Sequence, residues 1–66
     1  MADVNDNPVR LARLRAGLTI VEVAAQSGMS LATLWAAERG VLTQRTAERL
    51  GKVLGVAPGR LQTQPR

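Results

Sequence analysis

The side chains of this chain that could do chemistry are mainly arginines. Eight of its nine basic residues are Arg, and the sequence contains no His, Cys or Tyr. The five acidic residues show no paired arrangement suited to general acid–base catalysis, and the soft metal ligands are absent. We therefore expect no enzymatic activity, no metal and no cofactor. Arginine instead suits the binding of phosphate groups, which its guanidinium group contacts bidentately.

The net charge of +4 admits two interpretations. A basic protein attracts polyanions such as nucleic acid, but the same charge also keeps an ordinary protein in solution. The 66 residues form one domain at most. Because a domain of this size is marginally stable and has no Cys for disulfides, helix packing or a second subunit must stabilise it. No apolar run reaches the roughly 18 residues of a membrane span and no signal peptide is visible, so a cytoplasmic protein without a membrane partner is expected.

Residues 18–40 are predicted to form two short helices joined by a tight turn. These helices must position the side chains that contact phosphate. Thr19 is the predicted N-cap of the first helix, and Glu22 three residues later completes a capping box. Gly28 interrupts the apolar periodicity where a left-handed backbone would end this helix.

The second helix of the pair is predicted over residues 31–38. Ser30 is its predicted N-cap, and Gly40 is expected to end it. Leu34 and Ala37, three residues apart, are expected to face the first helix. A helix, a short turn containing glycine and a second helix form the helix-turn-helix pattern.

Further short helices are predicted on both sides of this pair. The first runs from about Pro8 to Ala16 with Leu11 and Leu14, and Val9 as a further candidate, on its apolar side, and Asn7 is its predicted N-cap. The fourth runs over about residues 44–54, where apolar residues recur at helical spacing. A short fifth helix or turn begins near Pro58.

The predicted fold class is all-α, a compact bundle of four to five short helices with no strand. Residues 8–61 form the predicted domain, residues 1–7 a flexible N-terminal arm and residues 62–66 a flexible tail. Gly51 lies inside the fourth helix, where it costs about 1 kcal/mol relative to alanine, so we expect a close helix contact to require it.

The order of these motifs resembles the Cro/CI-type helix-turn-helix domains of phage repressors and bacterial regulators, the XRE family. The resemblance extends from about Val9 to Leu61 and is carried by the segments RLRAGLT (13–19), VA (23–24), GMS (28–30), TL (33–34), ERG (38–40) and LGV (54–56). It implies a lambda-repressor-like fold whose third helix, residues 30–38, lies in the major groove of double-stranded DNA. It also implies a two-fold homodimer on a near-palindromic operator, and a structural ion pair between Arg13 and Glu38.

The predicted base-contacting residues depart from the family pattern. By family position they are Ser30, Leu31, Ala32, Trp35 and Ala36. Base edges are usually read by hydrogen bonds, and only Ser30 retains that chemistry. The apolar side chains could contact thymine methyl groups, bind a protein partner as an exposed apolar patch, or, for Trp35, fold back onto the core.

The predicted phosphate contacts lie at helix N-termini, whose free N–H groups and dipole attract anions, and on two flanking arginines. They are Thr19, Ile20, Arg39, Thr43, Gln44, Arg45 and Thr46. The family often has Gln where this chain has Ile20, so only the backbone donor remains there. The alternative for these residues is an ordinary solvated surface.

The predicted dimer contacts are apolar residues at and after the end of the fourth helix. They are Val53, Val56, Pro58 and Leu61, and their alternative role is to close the monomer core.

These observations lead to two hypotheses on function. The first is a sequence-specific DNA-binding transcriptional regulator, acting as a repressor or activator. The second is a protein-interaction module on a helix-turn-helix scaffold, such as an antitoxin, an anti-repressor or a complex subunit, that uses the apolar face of Leu31, Ala32 and Trp35.

Overall fold

The computed structural model describes residues 7–62 as five α-helices with no strand among them, which confirms the all-α prediction. The helices are α1 (Pro8–Arg15), α2 (Ile20–Ser27), α3 (Leu31–Glu38), α4 (Gln44–Leu54) and α5 (Pro58–Gln62). The rest of the predicted arm and tail, residues 1–6 and 63–66, lies outside the described residues. In the described part, no helix is both long and apolar enough to cross a bilayer.

The start of each of the first four helices is fixed by a side chain that accepts backbone N–H groups. Thr19 and Glu22 form the expected capping box: the Thr19 N–H donates to Glu22 Oε1 at 2.8 Å, and the Glu22 N–H donates to Thr19 Oγ1 at 3.1 Å. Ser30 and Thr43 cap α3 and α4 in the same way through their hydroxyl oxygens. The helix boundaries therefore follow from short-range hydrogen bonds that satisfy otherwise unpaired donors.

Asn7 belongs to the folded domain rather than to the predicted arm. Its Oδ1 accepts the N–H groups of Val9 and Arg10 at 2.8 and 3.2 Å, and its Nδ2 donates to the Ala37 carbonyl at 3.3 Å. The residue is buried. One side chain thus caps α1 and ties that cap to the last turn of α3.

The core lies where α2 and α3 pack against each other and against α1, α4 and α5. Its buried side chains come from all five helices, and the largest of those that are fully buried are Val23, Leu34, Leu50 and Leu61. Leu34 and Ala37 are buried as predicted, so the inward face of α3 is fixed and the remaining face is turned toward solvent.

The prediction that Leu14 lies on the apolar side of α1 is wrong, because its side chain is 49% exposed. The helix instead buries Val9, packs Ala12 against the core and directs Arg13 toward Glu38. At 100° per residue, Leu14 lies about 140° around the helix from Val9, so it cannot share that face.

The chain turns tightly between α4 and α5, which accounts for the glycine at position 51 and buries Leu61, one of the predicted dimer contacts. A Cβ on Gly51 would lie 2.6 Å from the Val56 carbonyl oxygen, so the close contact comes from the connector after α4 rather than from another helix. This tight return places Leu61 in the core with 2% exposure. Leu61 therefore cannot contact a second subunit, because its side chain is already covered by its own chain.

Candidate nucleic-acid interface

Arg13 holds the helix-turn-helix pair together from α1. Its Nε donates to Glu38 Oε2 at 2.7 Å, and its Nη2 donates to Glu38 Oε1 at 3.4 Å. Its Nη1 also donates to the Leu18 carbonyl at 2.9 Å. The two side chains are only 11% and 12% exposed. A single guanidinium group therefore joins the end of α3 to the backbone that leads into α2, in a bidentate geometry that fixes both orientation and distance.

The outward face of α3 is apolar and accessible. Trp35 is 50% exposed, Leu31 is 37% exposed and Ala32 is also exposed, while Ala36 is half-buried. Leu31 and Trp35 are four residues apart and lie on one side of the helix. Since Trp35 is not part of the core, the interpretation in which it folds back onto the core is wrong.

The hydroxyl groups at the start of α3 are engaged within the helix. Ser30 Oγ accepts the Thr33 N–H at 3.2 Å, and the two hydroxyl oxygens are hydrogen-bonded at 2.9 Å. Ser30 was the one predicted base contact with hydrogen-bonding chemistry, and the structure uses it as a helix cap. The first two turns of α3 consequently present mainly carbon to solvent.

Two arginines follow α3 in the chain, one at each end of the α3–α4 connection. Arg39 follows α3 and Arg45 lies in the first turn of α4. Both are exposed, and within residues 7–62 neither side chain makes an ion pair or hydrogen bond. Their guanidinium groups are therefore available to an anion, as a phosphate contact requires.

The start of α2 offers fewer donors than the sequence suggested. The Thr19 N–H and hydroxyl are both used by the capping box, and Ile20 is half-buried. In the described chain, the donors left for an anion are the backbone N–H groups of Ile20 and Val21. Val21 was missed by sequence reasoning because its contribution is a backbone group that no side-chain pattern reveals.

Glu22 places a negative charge at this same helix terminus. Hydrogen bonds from the Thr19 backbone N–H, and then from the Thr19 side chain, lower the pKa of Glu22 below its ordinary value of 4.5. The carboxylate therefore contributes stability above pH 4.5, and that contribution is lost as the pH falls through the lowered pKa. The same charge opposes a phosphate approaching the donors of Ile20 and Val21.

Substituting Glu22→Gln is expected to raise affinity for double-stranded DNA by about threefold at 50 mM salt. Glutamine can keep the capping-box hydrogen bond, while the loss of a like charge near the phosphate removes a repulsion that is modest in water. Titration of a fixed duplex with both proteins checks this. Gln26→Lys is the control, because it changes the net charge by the same amount at the exposed opposite end of α2, and an unchanged affinity for Glu22→Gln would contradict the placement of a phosphate at α2.

The start of α4 is also partly occupied. Thr43 Oγ1 accepts the Thr46 N–H at 3.2 Å, and Thr43 donates its own hydroxyl to Thr46 Oγ1 at 3.0 Å. The Gln44 side chain donates to Glu48 Oε2 at 3.0 Å and accepts from Gln62 Nε2 at 2.6 Å. Gln62 was predicted to lie in the tail, but it belongs to α5 and holds Gln44 in place. Arg45 and the backbone donors are thus the freest groups at this terminus.

The remaining predicted dimer residues are only partly accessible. Val53, Val56 and Pro58 are half-buried around the α4–α5 corner, and the two valines pack against the core. Their exposed parts lie on the same corner of the molecule.

Comparison with known proteins agrees with this geometry. A protein family described as Helix-turn-helix matches the chain over residues 9–61. No curated protein and no solved structure gave a significant match. The matched region contains all five helices except the ends of α1 and α5.

Proposed function

Because the chain belongs to the Cro/CI-type helix-turn-helix family and is a DNA-binding protein, we propose that it regulates transcription by occupying an operator as a two-fold dimer. In this proposal α3 lies in the major groove, with its first two turns at the base edges. Operator occupancy then controls access of the transcription machinery to the promoter.

The observation that carries this proposal is the pair of unpaired, exposed arginines at the two ends of the connection that follows α3. Arg39 and Arg45 have no intramolecular partner among the described residues, so they pay no cost of breaking an ion pair when they meet phosphate. The backbone donors of Ile20 and Val21 add a second anion-binding position at the start of α2. An exposed apolar helix face accompanied by free cations and backbone donors suits a major groove bordered by phosphates.

The proposed dimer uses the exposed parts of Val53, Val56 and Pro58 at the α4–α5 corner. Sedimentation across protein concentration tests this part of the proposal. We expect a concentration-dependent dimer whose dissociation is promoted by Val56→Asp, because an unpaired charge would be buried in the contact. A protein that remains monomeric at the highest concentration, both free and bound to DNA, would overturn the dimer.

Duplex binding at two salt concentrations tests the regulator proposal as a whole. If each subunit neutralises about four phosphates, the affinity of a dimer falls with a log–log salt slope of about −7. Random-sequence duplexes measure this electrostatic component, and selection of bound sites from a random pool supplies the operator. An absence of binding even at low salt would reject the proposal.

A second function is favoured by one specific observation, the exposure of Trp35 and Leu31. Large apolar side chains on the surface of a small protein often mark a protein-binding site. In that case the scaffold would be an interaction module, such as an antitoxin or a complex subunit. Weak, non-selective DNA binding combined with a stable protein complex that shields Trp35 would support this alternative.

A further inference from the structure

We propose that α3 reads the C5-methyl groups of pyrimidines, in thymine and in 5-methylcytosine, by apolar contact rather than by hydrogen bonding. The inference rests on the proposed DNA-binding function and specifies what the outward face of α3 recognises. The face consists of Leu31, Ala32, Trp35 and Ala36.

The first argument is the chemistry that this face lacks. None of its four side chains carries a group that can donate to or accept from the purine N7, the guanine O6 or the adenine N6, except the indole N–H of Trp35. The two nearest hydroxyl groups, on Ser30 and Thr33, are hydrogen-bonded to each other at 2.9 Å and form the cap of the helix. The usual bidentate pairs with guanine or adenine are therefore unavailable in these two turns.

The second argument concerns the free energy of placing apolar side chains against polar base edges in the major groove. The thymine methyl group is the one apolar feature that the four unmodified bases present there. A leucine or tryptophan placed against a guanine or cytosine edge would remove water from polar atoms and give them no partner, which is unfavourable. The same side chain placed against a methyl group buries carbon on both sides, and Trp35 offers the largest area for this.

The third argument concerns charge, which favours DNA over a protein as the occupant of the face. Arg39 lies directly after α3, and Arg45 lies beyond the connector; both are exposed and unpaired in the described chain. Exposed, unpaired cations that follow an apolar helix face complement a groove bordered by phosphates, whereas an apolar protein surface offers them no counter-charge. Neither Leu31, Ala32, Trp35 nor Ala36 has an acidic neighbour on the outward face of α3, since Glu38 is buried against Arg13.

Recognition of the methyl group can be distinguished from recognition of thymine as a whole base by testing 5-methylcytosine. 5-Methylcytosine carries the same methyl group in the same place, but its C4 substituent donates a hydrogen bond where that of thymine accepts one. The carbon atoms of Leu31, Ala32, Ala36 and the Trp35 ring contact only the methyl group and do not distinguish the two. We therefore expect a contacted T·A pair to be replaceable by a 5-methylcytosine·G pair, but not by an unmethylated C·G pair.

The experiment uses the full chain and the tightest-binding duplex selected from a random pool. Each thymine is replaced in turn by uracil, which deletes only the methyl group, and then by cytosine and by 5-methylcytosine opposite guanine. We expect uracil to weaken binding by about fourfold at each contacted position, the loss expected for one buried methyl group. 5-Methylcytosine should bind within about twofold of thymine, whereas cytosine should show the loss.

Two variants assign the contacts to side chains. Trp35→Ala and Leu31→Ala should each abolish the uracil penalty at the positions that the removed side chain contacts, while the other positions keep it. Leu14→Ala is the matched control, because Leu14 is also an exposed apolar residue but lies on α1. It should leave every uracil penalty unchanged.

The outcomes separate this inference from the proposed function. Tight, salt-dependent binding that is indifferent to uracil at every position would overturn methyl recognition and leave the regulator proposal standing. Failure to select any duplex, with no binding at low salt, would overturn both and assign the face to a protein partner. Fourfold losses with uracil, restored by 5-methylcytosine and removed by Trp35→Ala or Leu31→Ala, would support the inference.

Discussion

Replacing Arg39 and Arg45 together with alanine is expected to weaken DNA binding on the order of 10³-fold at 0.1 M salt. In the proposed dimer the double variant removes four of the proposed phosphate contacts, and each contact contributes about 0.9 to the log–log salt slope. The slope should accordingly fall from about −7 to about −3.5. Because both side chains are exposed and unpaired among residues 7–62, the fold should be unaffected. Binding isotherms at several salt concentrations give both quantities.

The control for this prediction removes the same charge from another part of the surface. Lys52 and Arg60 are exposed and lie near the end of α4 and on α5, away from α3. Replacing both with alanine should change the slope by much less. Since phosphate contacts carry no sequence information, the Arg39 and Arg45 variant should lose affinity equally for operator and random duplexes. Similar slopes for the two double variants would show that the arginines act only through net charge.

Replacing Glu38 with alanine is expected to destabilise the folded protein by about 2–4 kcal/mol, which is a large part of the stability of so small a domain. The substitution leaves the mostly buried Arg13 guanidinium without its counter-charge, and only the Leu18 carbonyl still accepts from it. Urea unfolding followed by helical circular dichroism measures the loss. Arg13→Ala should cost a similar amount, because it leaves the Glu38 carboxylate unpaired.

A double substitution distinguishes a specific pair from two independent side chains. Arg13→Met combined with Glu38→Leu removes both charges and keeps apolar volume, so it should be much less destabilising than the sum of the single variants Arg13→Met and Glu38→Leu. The double variant should nevertheless bind DNA less well than its stability suggests, because α3 is no longer tied to the backbone before α2. Additive losses in the unfolding free energy would mean that the ion pair contributes no coupling.

The helix boundaries could be predicted because they depend on residues close in sequence. The caps Asn7, Thr19, Ser30 and Thr43 each act on N–H groups two or three positions ahead, so a short motif contains all that is needed. The family resemblance was equally accessible, since it rests on the order and spacing of such motifs, and the match over residues 9–61 confirms it.

The inward facing of Leu34 and Ala37 could be predicted, but the positions of Leu14 and Leu61 could not, because they depend on contacts distant in sequence. Leu14 is apolar and at helical spacing, yet α1 is rotated so that Arg13 reaches Glu38. Leu61 is buried because the connector between α4 and α5 packs closely against Gly51. No short sequence pattern predicts that contact. The pairing of Gln44 with Gln62 joins residues 18 positions apart, and it leaves Arg45 as the freer group at α4.

Trp35 makes the intrinsic fluorescence of the protein a probe of the outward face of α3. It is the only aromatic residue of the chain, which contains no Phe or Tyr, so the intrinsic fluorescence of the protein originates entirely on the outward face of α3. Because the indole is already half in water in the folded state, its emission should change little on unfolding. Occupation of α3 by a nucleic acid or a protein should instead shift or quench it, which gives a label-free signal for the surface on which the proposed function depends.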